Sequence, residues 1–275
     1  MSFAGAEVYF AELVAERIVP VDDPTGMRWK KAIMKLDPSF NISTARQTLD
    51  TQRRGSLANV LDALSLGAVL EAARNLPRWT LVTRMGGKHL NLDAAAMDSL
   101  PAAQRAEFDA RVAAETAAGF NYLYESFTIY DKWHAGVLRQ EAPVLADLFA
   151  FLNSDAFLEP MRVILDSPTI SFCDGQLTRY RAGHFLTTHD DAVEGKDRIA
   201  AYVLSLTEDW QDNWGGQLEF YNPGGKAEVS FIPRLNALSL FKIPQPHAVT
   251  KIGANVTAHR LSITGWLRQG KDPGP

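Results

Sequence analysis

Apolar positions change their spacing partway along the chain. Up to about residue 165 the helical period dominates. In Ser56–Asn75, Leu and Val recur at i, i+3, i+4 and i+7, which predicts an amphipathic helix. Pro101–Ala118 is rich in Ala, opens on Pro and is followed by Gly119, and it predicts a second helix. Between them, Arg78–Arg84 and His89–Asp93 alternate apolar and polar residues around Gly86-Gly87, the pattern of a β-hairpin. Beyond about residue 168 the period shortens to two. Short runs follow one another at Thr169–Cys173, Leu177–Arg181, Ile199–Leu206, Leu218–Asn222, Val229–Ile232, Ala237–Phe241, His247–Ile252 and Arg260–Leu267. Turn residues separate them at Asp174-Gly175, Gly215-Gly216, Asn222–Gly225 and Ile252–Asn255. Strands at this spacing without intervening helices predict a sandwich or jelly roll. The expected class is α+β. A mainly helical region, 1–165, packs on a β core, 166–268, and the Gly- and Pro-rich 269–275 forms a disordered tail.

Composition narrows the function without naming it. The chain has 275 residues, 46% hydrophobic and 22% charged, enough for a sizeable core. A net charge of −4 argues against a general nucleic-acid or membrane-surface binder. Cys173 is the one cysteine, so no internal disulfide and no Cys-rich zinc site can form. Met1–Glu7 lacks the basic start of a secretory leader, and no uncharged apolar stretch is long enough to span a bilayer. A cytoplasmic location is the expectation.

The chemistry concentrates in the β-rich half. Gly183–Asp191 contains His189-Asp190-Asp191, a His-x-Asp pair. On a strand, residues i and i+2 share a face, which favours Asp191 over Asp190 as the partner of His189. It also sets His184, five positions earlier, on the opposite face, in a structural or pocket-rim role. His247 follows 56 residues after Asp191, at the start of a predicted strand. Two His and one carboxylate make the donor set of non-haem Fe(II) sites. Arg260-Leu261-Ser262 follows on the last predicted strand. An arginine among apolar neighbours calls for an anion, and its planar fork suits a carboxylate. His89, His134 and His259 read as structural, and Cys173 as a small buried apolar residue.

In this order the motifs resemble the Fe(II)/2-oxoglutarate-dependent dioxygenases, and within them the prolyl 4-hydroxylase-like branch. The resemblance covers Leu177–Leu267. It includes the lead-in Leu177–Tyr180 with Gly183, the block Arg198–Ala200 with Leu204–Leu206, Asp209-Trp210, the turn Gly215–Leu218, and Ile232–Asn236. It implies a double-stranded β-helix, or jelly roll. It also implies Fe(II) held by His189, Asp191 and His247, with 2-oxoglutarate and O2 as cosubstrates and ascorbate as an optional reductant. Arg260 would bind the distal carboxylate of 2-oxoglutarate, Ser262 would add a hydroxyl, Tyr180 would contact the cosubstrate and Trp266 would line the pocket. Retention of Asp191 implies hydroxylation over halogenation. The chain departs from the branch at Ser205, where a tyrosine is usual, and Tyr180 and Tyr202 are the candidates to compensate. The implied activity is hydroxylation of a C–H bond, first of all in a prolyl residue of a peptide or protein, coupled to decarboxylation of 2-oxoglutarate to succinate and CO2. The alternatives are a hydroxylase of a free amino acid or small metabolite, and a cupin-like metal-binding module without 2-oxoglutarate chemistry. Substrate and oligomeric state are not legible.

Overall fold

The structure, a computed structural model, describes residues 34–275. The reading of Met1–Glu7 and the start of the 1–165 region lie outside them. The helices are α1 (Ile42–Gln52), α2 (Ala63–Arg74), α3 (Ala94–Asp98), α4 (Ala102–Ala118), α5 (Ile129–His134), α6 (Leu138–Glu141), α7 (Pro143–Leu152) and α8 (Asp155–Leu165). The strands of the first half are β1 (Arg54–Leu57), β2 (Thr80–Met85), β3 (Lys88–Asp93) and β4 (Tyr122–Phe127). Those of the second are β5 (Ile170–Cys173), β6 (Gln176–Tyr180), β7 (Phe185–His189), β8 (Arg198–Ser205), β9 (Leu218–Tyr221), β10 (Ala227–Phe231), β11 (Ala237–Lys242), β12 (His247–Val249) and β13 (Arg260–Gln269).

Eight of the nine second-half strands follow the period-two runs, β7 being the one that no run marks, and together they build the jelly roll. The order β1-β11-β8-β13-β6-β4-β7-β12-β9-β10 is antiparallel throughout. Its interior is packed with Tyr180, Trp210, Phe220, Phe241 and Val249. A larger core lies on the outside, where α7 and α8 lay Leu145, Leu148, Phe149, Phe157 and Met161 against Leu177, Tyr202, Leu240 and Ile263. Apolar residues run almost all the way round α7, as expected of a helix buried on every side.

The first half does more than buttress the sheet. Helices predominate among the described residues of 1–165, as the spacing suggests, and the expected hairpin is present as β2–β3, but β1 and β4 are further strands that the helical reading passes over. β4 is the important one. Its Glu125–Phe127 pairs with β6 and its Tyr122-Leu123 pairs with β7, so it joins the two sides of the jelly roll. The hairpin β2–β3 extends from it through β2. Gly86 and Gly87 both have positive φ, 56° and 76°, which a two-residue turn of this hand requires and which glycine adopts at no steric cost. The helix expected over 56–75 begins only at Ala63, where Asp62 caps it by accepting a hydrogen bond from the Ser65 backbone at 2.8 Å. Ser56 and Leu57 belong instead to β1 and pair with Ser239 and Leu238 of β11, so a tertiary partner overrides local helical spacing. The expected tail is also docked. The Asp272 carboxylate accepts from the Tyr130 hydroxyl and pairs with His134 at 3.2 Å, and Ser171 donates to the Gly270 carbonyl at 2.6 Å.

Candidate metal centre

His189 ends β7 and His247 opens β12, and the two residues face each other in register. Their rings lie 4.2 Å apart between centroids. Asp191 bridges them, with one carboxylate oxygen 3.3 Å from His189 Nε2 and the other 3.4 Å from His247 Nε2. One donor atom from each residue falls within 4.8 Å of the others. Each ring is anchored at its far nitrogen. His189 Nδ1 lies 3.0 Å from the Thr187 carbonyl and His247 Nδ1 lies 2.7 Å from the Gln245 carbonyl. A carbonyl can only accept, so Nδ1 carries the proton and Nε2 turns its lone pair toward the shared centre. Burial pushes His247 down to about 4, with the charge of His189 acting in the same direction, which keeps the imidazole neutral. Burial alone would raise the Asp191 carboxyl. The hydrogen bond from His189 and the nearby charges of His247 and His189 outweigh it and hold Asp191 below its ordinary value. Two imidazole nitrogens turned toward one carboxylate form a donor set that fits Fe(II).

The convergence does not arise by strand alternation. β7 stops at His189, and Asp191 lies beyond it with φ of 63°. Asp is among the few residues that enter this region readily. That turn carries the carboxylate under both imidazoles. Asp190 accepts from the Ala192 backbone at 3.1 Å instead, the role of a turn cap.

Arg260, on β13, is buried in the same barrel, 4% exposed. Its guanidinium lies 5.0 Å above the Tyr180 ring and its Nη1 is 3.4 Å from Ser262 Oγ. Among the described residues no carboxylate pairs with it, and its buried Nε has no partner. Burial pushes this cation below its ordinary value. Ser262 lies between Thr178 and Ser205 in the register of β6, β13 and β8, and its Oγ is 3.2 Å from Thr178 Oγ1. Three small hydroxyl residues thus share one row across the sheet, with Ser262 the one that reaches the arginine. Tyr202 does not compensate for Ser205. It points to the outer core and donates to the Asp174 carbonyl at 2.8 Å. Tyr180 does reach the site, stacked on Tyr124 at 5.0 Å. Trp266 packs under Arg198, 3.5 Å from its guanidinium, and Arg198 donates to the Asp191 carbonyl at 3.0 Å.

Gly216 fixes the stem of Arg260. A Cβ there would lie 3.1 Å from the Trp210 ring and 3.3 Å from Arg260 Cδ, at a backbone φ of 70°. A left-handed alanine costs about 1–2 kcal/mol before any contact is counted. Gly216→Ala is expected to lower the melting temperature and to weaken 2-oxoglutarate binding about tenfold, a loss of about 1.4 kcal/mol, checked by thermal melting and ligand titration.

Tyr124 and Tyr122 escaped the sequence reading. Their signal was present in Phe120-Asn121-Tyr122-Leu123-Tyr124, an aromatic at every second position. Burial raises Tyr124 to about 12, so its phenol keeps its proton. His184 lies away from the ligands, near Arg181 on the outer face, and is 1% exposed. Burial, aided by Arg181, lowers it to about 3 from 6.5. The folded chain therefore holds a neutral ring that the unfolded chain protonates below 6.5. Stability is full above that pH and falls as pH drops toward 3. Between pH 7 and pH 5 the His184 share is about 2 kcal/mol. Urea unfolding at both pH values should show this loss in the parent and a correspondingly smaller one in His184→Gln. Cys173 is fully buried, and burial pushes its thiol up, which leaves it inert at neutral pH.

Residues 175–268 match the family model of the 2OG-Fe(II) oxygenase superfamily. No curated protein matches the chain in sequence. Solved structures that share the fold include the following three. A prolyl-4-hydroxylase from Pseudomonas putida is 19% identical, with 84% of this chain and 100% of that one covered and a TM-score of 0.53. A 2OG-Fe(II) oxygenase family oxidoreductase from Burkholderia pseudomallei is 12% identical, covering 86% and 96%, with a TM-score of 0.55. A prolyl hydroxylase from Trichoplax adhaerens, in complex with a peptide fragment of the hypoxia inducible factor oxygen degradation domain, is 18% identical, covering 83% and 89%, with a TM-score of 0.55.

Proposed function

We propose that this chain, whose residues 175–268 match the 2OG-Fe(II) oxygenase superfamily, is a 2-oxoglutarate-dependent dioxygenase that hydroxylates a prolyl residue of a peptide or protein. The observation that carries the reading is one barrel holding both the His189, Asp191, His247 cluster and a buried arginine that no carboxylate pairs with among the described residues. A simple metal store needs no such arginine, which weighs against the metal-binding module. The peptide complex of the Trichoplax enzyme supports a peptide substrate.

In this reading His189, Asp191 and His247 would hold Fe(II). When bound, the iron with 2-oxoglutarate and O2 supplies the oxidation: the keto acid becomes succinate and CO2, taking one oxygen atom, and the other enters the substrate C–H bond. The Thr187 and Gln245 carbonyls keep both imidazoles aimed. Arg260 grips the distal carboxylate of the cosubstrate through its planar fork, and Ser262 and Thr178 complete the pocket with hydroxyls. Tyr180, raised far above the ordinary phenol value by burial, stays protonated and would offer its hydroxyl as a donor to the cosubstrate.

The test is succinate formation by the iron-loaded protein, measured with proline-containing peptides and with free amino acids. The proposal expects peptides to stimulate turnover and to gain one oxygen on proline by mass spectrometry. Stimulation by a free amino acid with none by peptides would replace it with the small-metabolite reading.

A further inference from the structure

A continuous aromatic face runs from the arginine to solvent. Tyr180 lies under Arg260, and Tyr124 stacks on Tyr180 with a 14° interplanar angle. Tyr122 follows at 5.8 Å from Tyr124, and Phe120 at 5.6 Å from Tyr122. Phe120 ends the series, 42% exposed, with its ring 5.5 Å from that of His189. A singly exposed aromatic is ordinary on a protein surface. This one differs because its inner neighbour is a member of the metal-ligating cluster, so its free face borders the approach to that cluster. The face is also held in place. Tyr122 Oη is 2.6 Å from His89 Nδ1, and His89 Nε2 is 3.0 Å from Asn91 Oδ1, so β3 fixes the phenol. The Arg84 guanidinium lies 6.0 Å over the Phe120 ring.

We infer that Phe120 and Tyr122 form the substrate-side wall of the site and receive the ring that is oxidised. This rests on the prolyl reading above and adds the residues that select for it. A pyrrolidine ring is compact and uncharged, and its C–H bonds are polarised by the amide nitrogen. Such hydrogens pack against the negative faces of aromatic rings. Lysyl or arginyl side chains would also favour an aromatic face, but the Arg84 guanidinium, 6.0 Å from the centre of the Phe120 ring, repels a second cation there. Acidic side chains gain nothing from the ring faces. The wall therefore selects a neutral ring, and the N-terminal half of the chain supplies it to a centre built by the C-terminal half.

The experiment compares the parent with Phe120→Ala, Phe120→Tyr and Tyr122→Phe on a proline-containing peptide that the parent hydroxylates. Three readouts are taken: peptide KM, the ratio of succinate to hydroxylated product, and anaerobic 2-oxoglutarate binding to the Fe(II) protein. The inference expects Phe120→Ala to raise peptide KM at least tenfold and to release succinate in excess of product, with 2-oxoglutarate binding unchanged. Phe120→Tyr should restore both values to near the parent. Tyr122→Phe, which loses the bond to His89 but keeps the ring, should fall between. Equal KM and equal coupling in the parent and Phe120→Ala would overturn this inference and leave the prolyl reading standing. Succinate formation by the parent with no hydroxylated prolyl product from any peptide would remove the prolyl reading and this wall with it.

Discussion

Replacing His247 with alanine is expected to abolish stoichiometric Fe(II) binding and, with it, cosubstrate turnover. The side chain is 4% exposed and its Nε2 lies 3.4 Å from Asp191. Loss of a hydrogen-bond partner behind a metal ligand already costs about 10–100-fold in metal affinity, so loss of a ligand itself should cost at least about 100-fold. The remaining His189 and Asp191 cannot enclose an ion from three directions. Alanine offers no donor atom at any pH, so raising the pH will not rescue the variant. Anaerobic Fe(II) titration followed by metal analysis of the desalted protein gives the answer. The ring also packs on Phe241 at 4.5 Å between centroids, so a melting curve belongs beside the titration. A folded His247→Ala that retains iron as the parent does would place the metal elsewhere.

The contrast between the two halves explains what was readable in the sequence. In the second half, every second residue faces a core, so period two was plain and the jelly roll followed. Strands there need no distant partner to be recognised. β1 is the opposite case. Arg54–Leu57 is a strand because β11 lies beside it, and nothing local distinguishes Ser56-Leu57 from the helical stretch that follows. The tail was misread for a similar reason. Asp272 is held by Tyr130 and His134, which lie far away in sequence. The metal cluster was legible as a motif, but its geometry was not. A strand would have aligned His189 and Asp191, whereas the chain reaches the same end through a left-handed turn at Asp191. Ser205 is informative in another way. The resemblance marked it as a departure and suggested Tyr202, yet residues 201, 203 and 205 face the interior and 202 faces out. Alternation along β8 excluded Tyr202, and a period-two count from Ser205 alone would have shown it.

Arg260→Met should separate function from stability, and the two effects should have opposite signs. A buried hydrogen-bonded charge pair loses about 2–5 kcal/mol when one partner is truncated, which corresponds to a rise of about 30-fold to several thousand-fold in the 2-oxoglutarate concentration needed. The structure, however, holds Arg260 buried with the Tyr180 ring and the Ser262 hydroxyl beside its guanidinium, and no carboxylate pairs with it among the described residues. Desolvating a guanidinium is costly, and a well-packed apolar side chain of similar length is often as stable or more so. The variant should therefore bind iron normally, need far more 2-oxoglutarate, and melt at or above the parent temperature in the absence of cosubstrate. Added 2-oxoglutarate should raise the melting temperature of the parent and not that of the variant, because a ligand stabilises only the state it binds. Arg260→Lys, which keeps the charge but loses the fork, should lie between the two. An arginine kept for packing would give the reverse pattern: a lower melting temperature with cosubstrate affinity intact. That result would remove Arg260 from the binding site while leaving the metal centre in place.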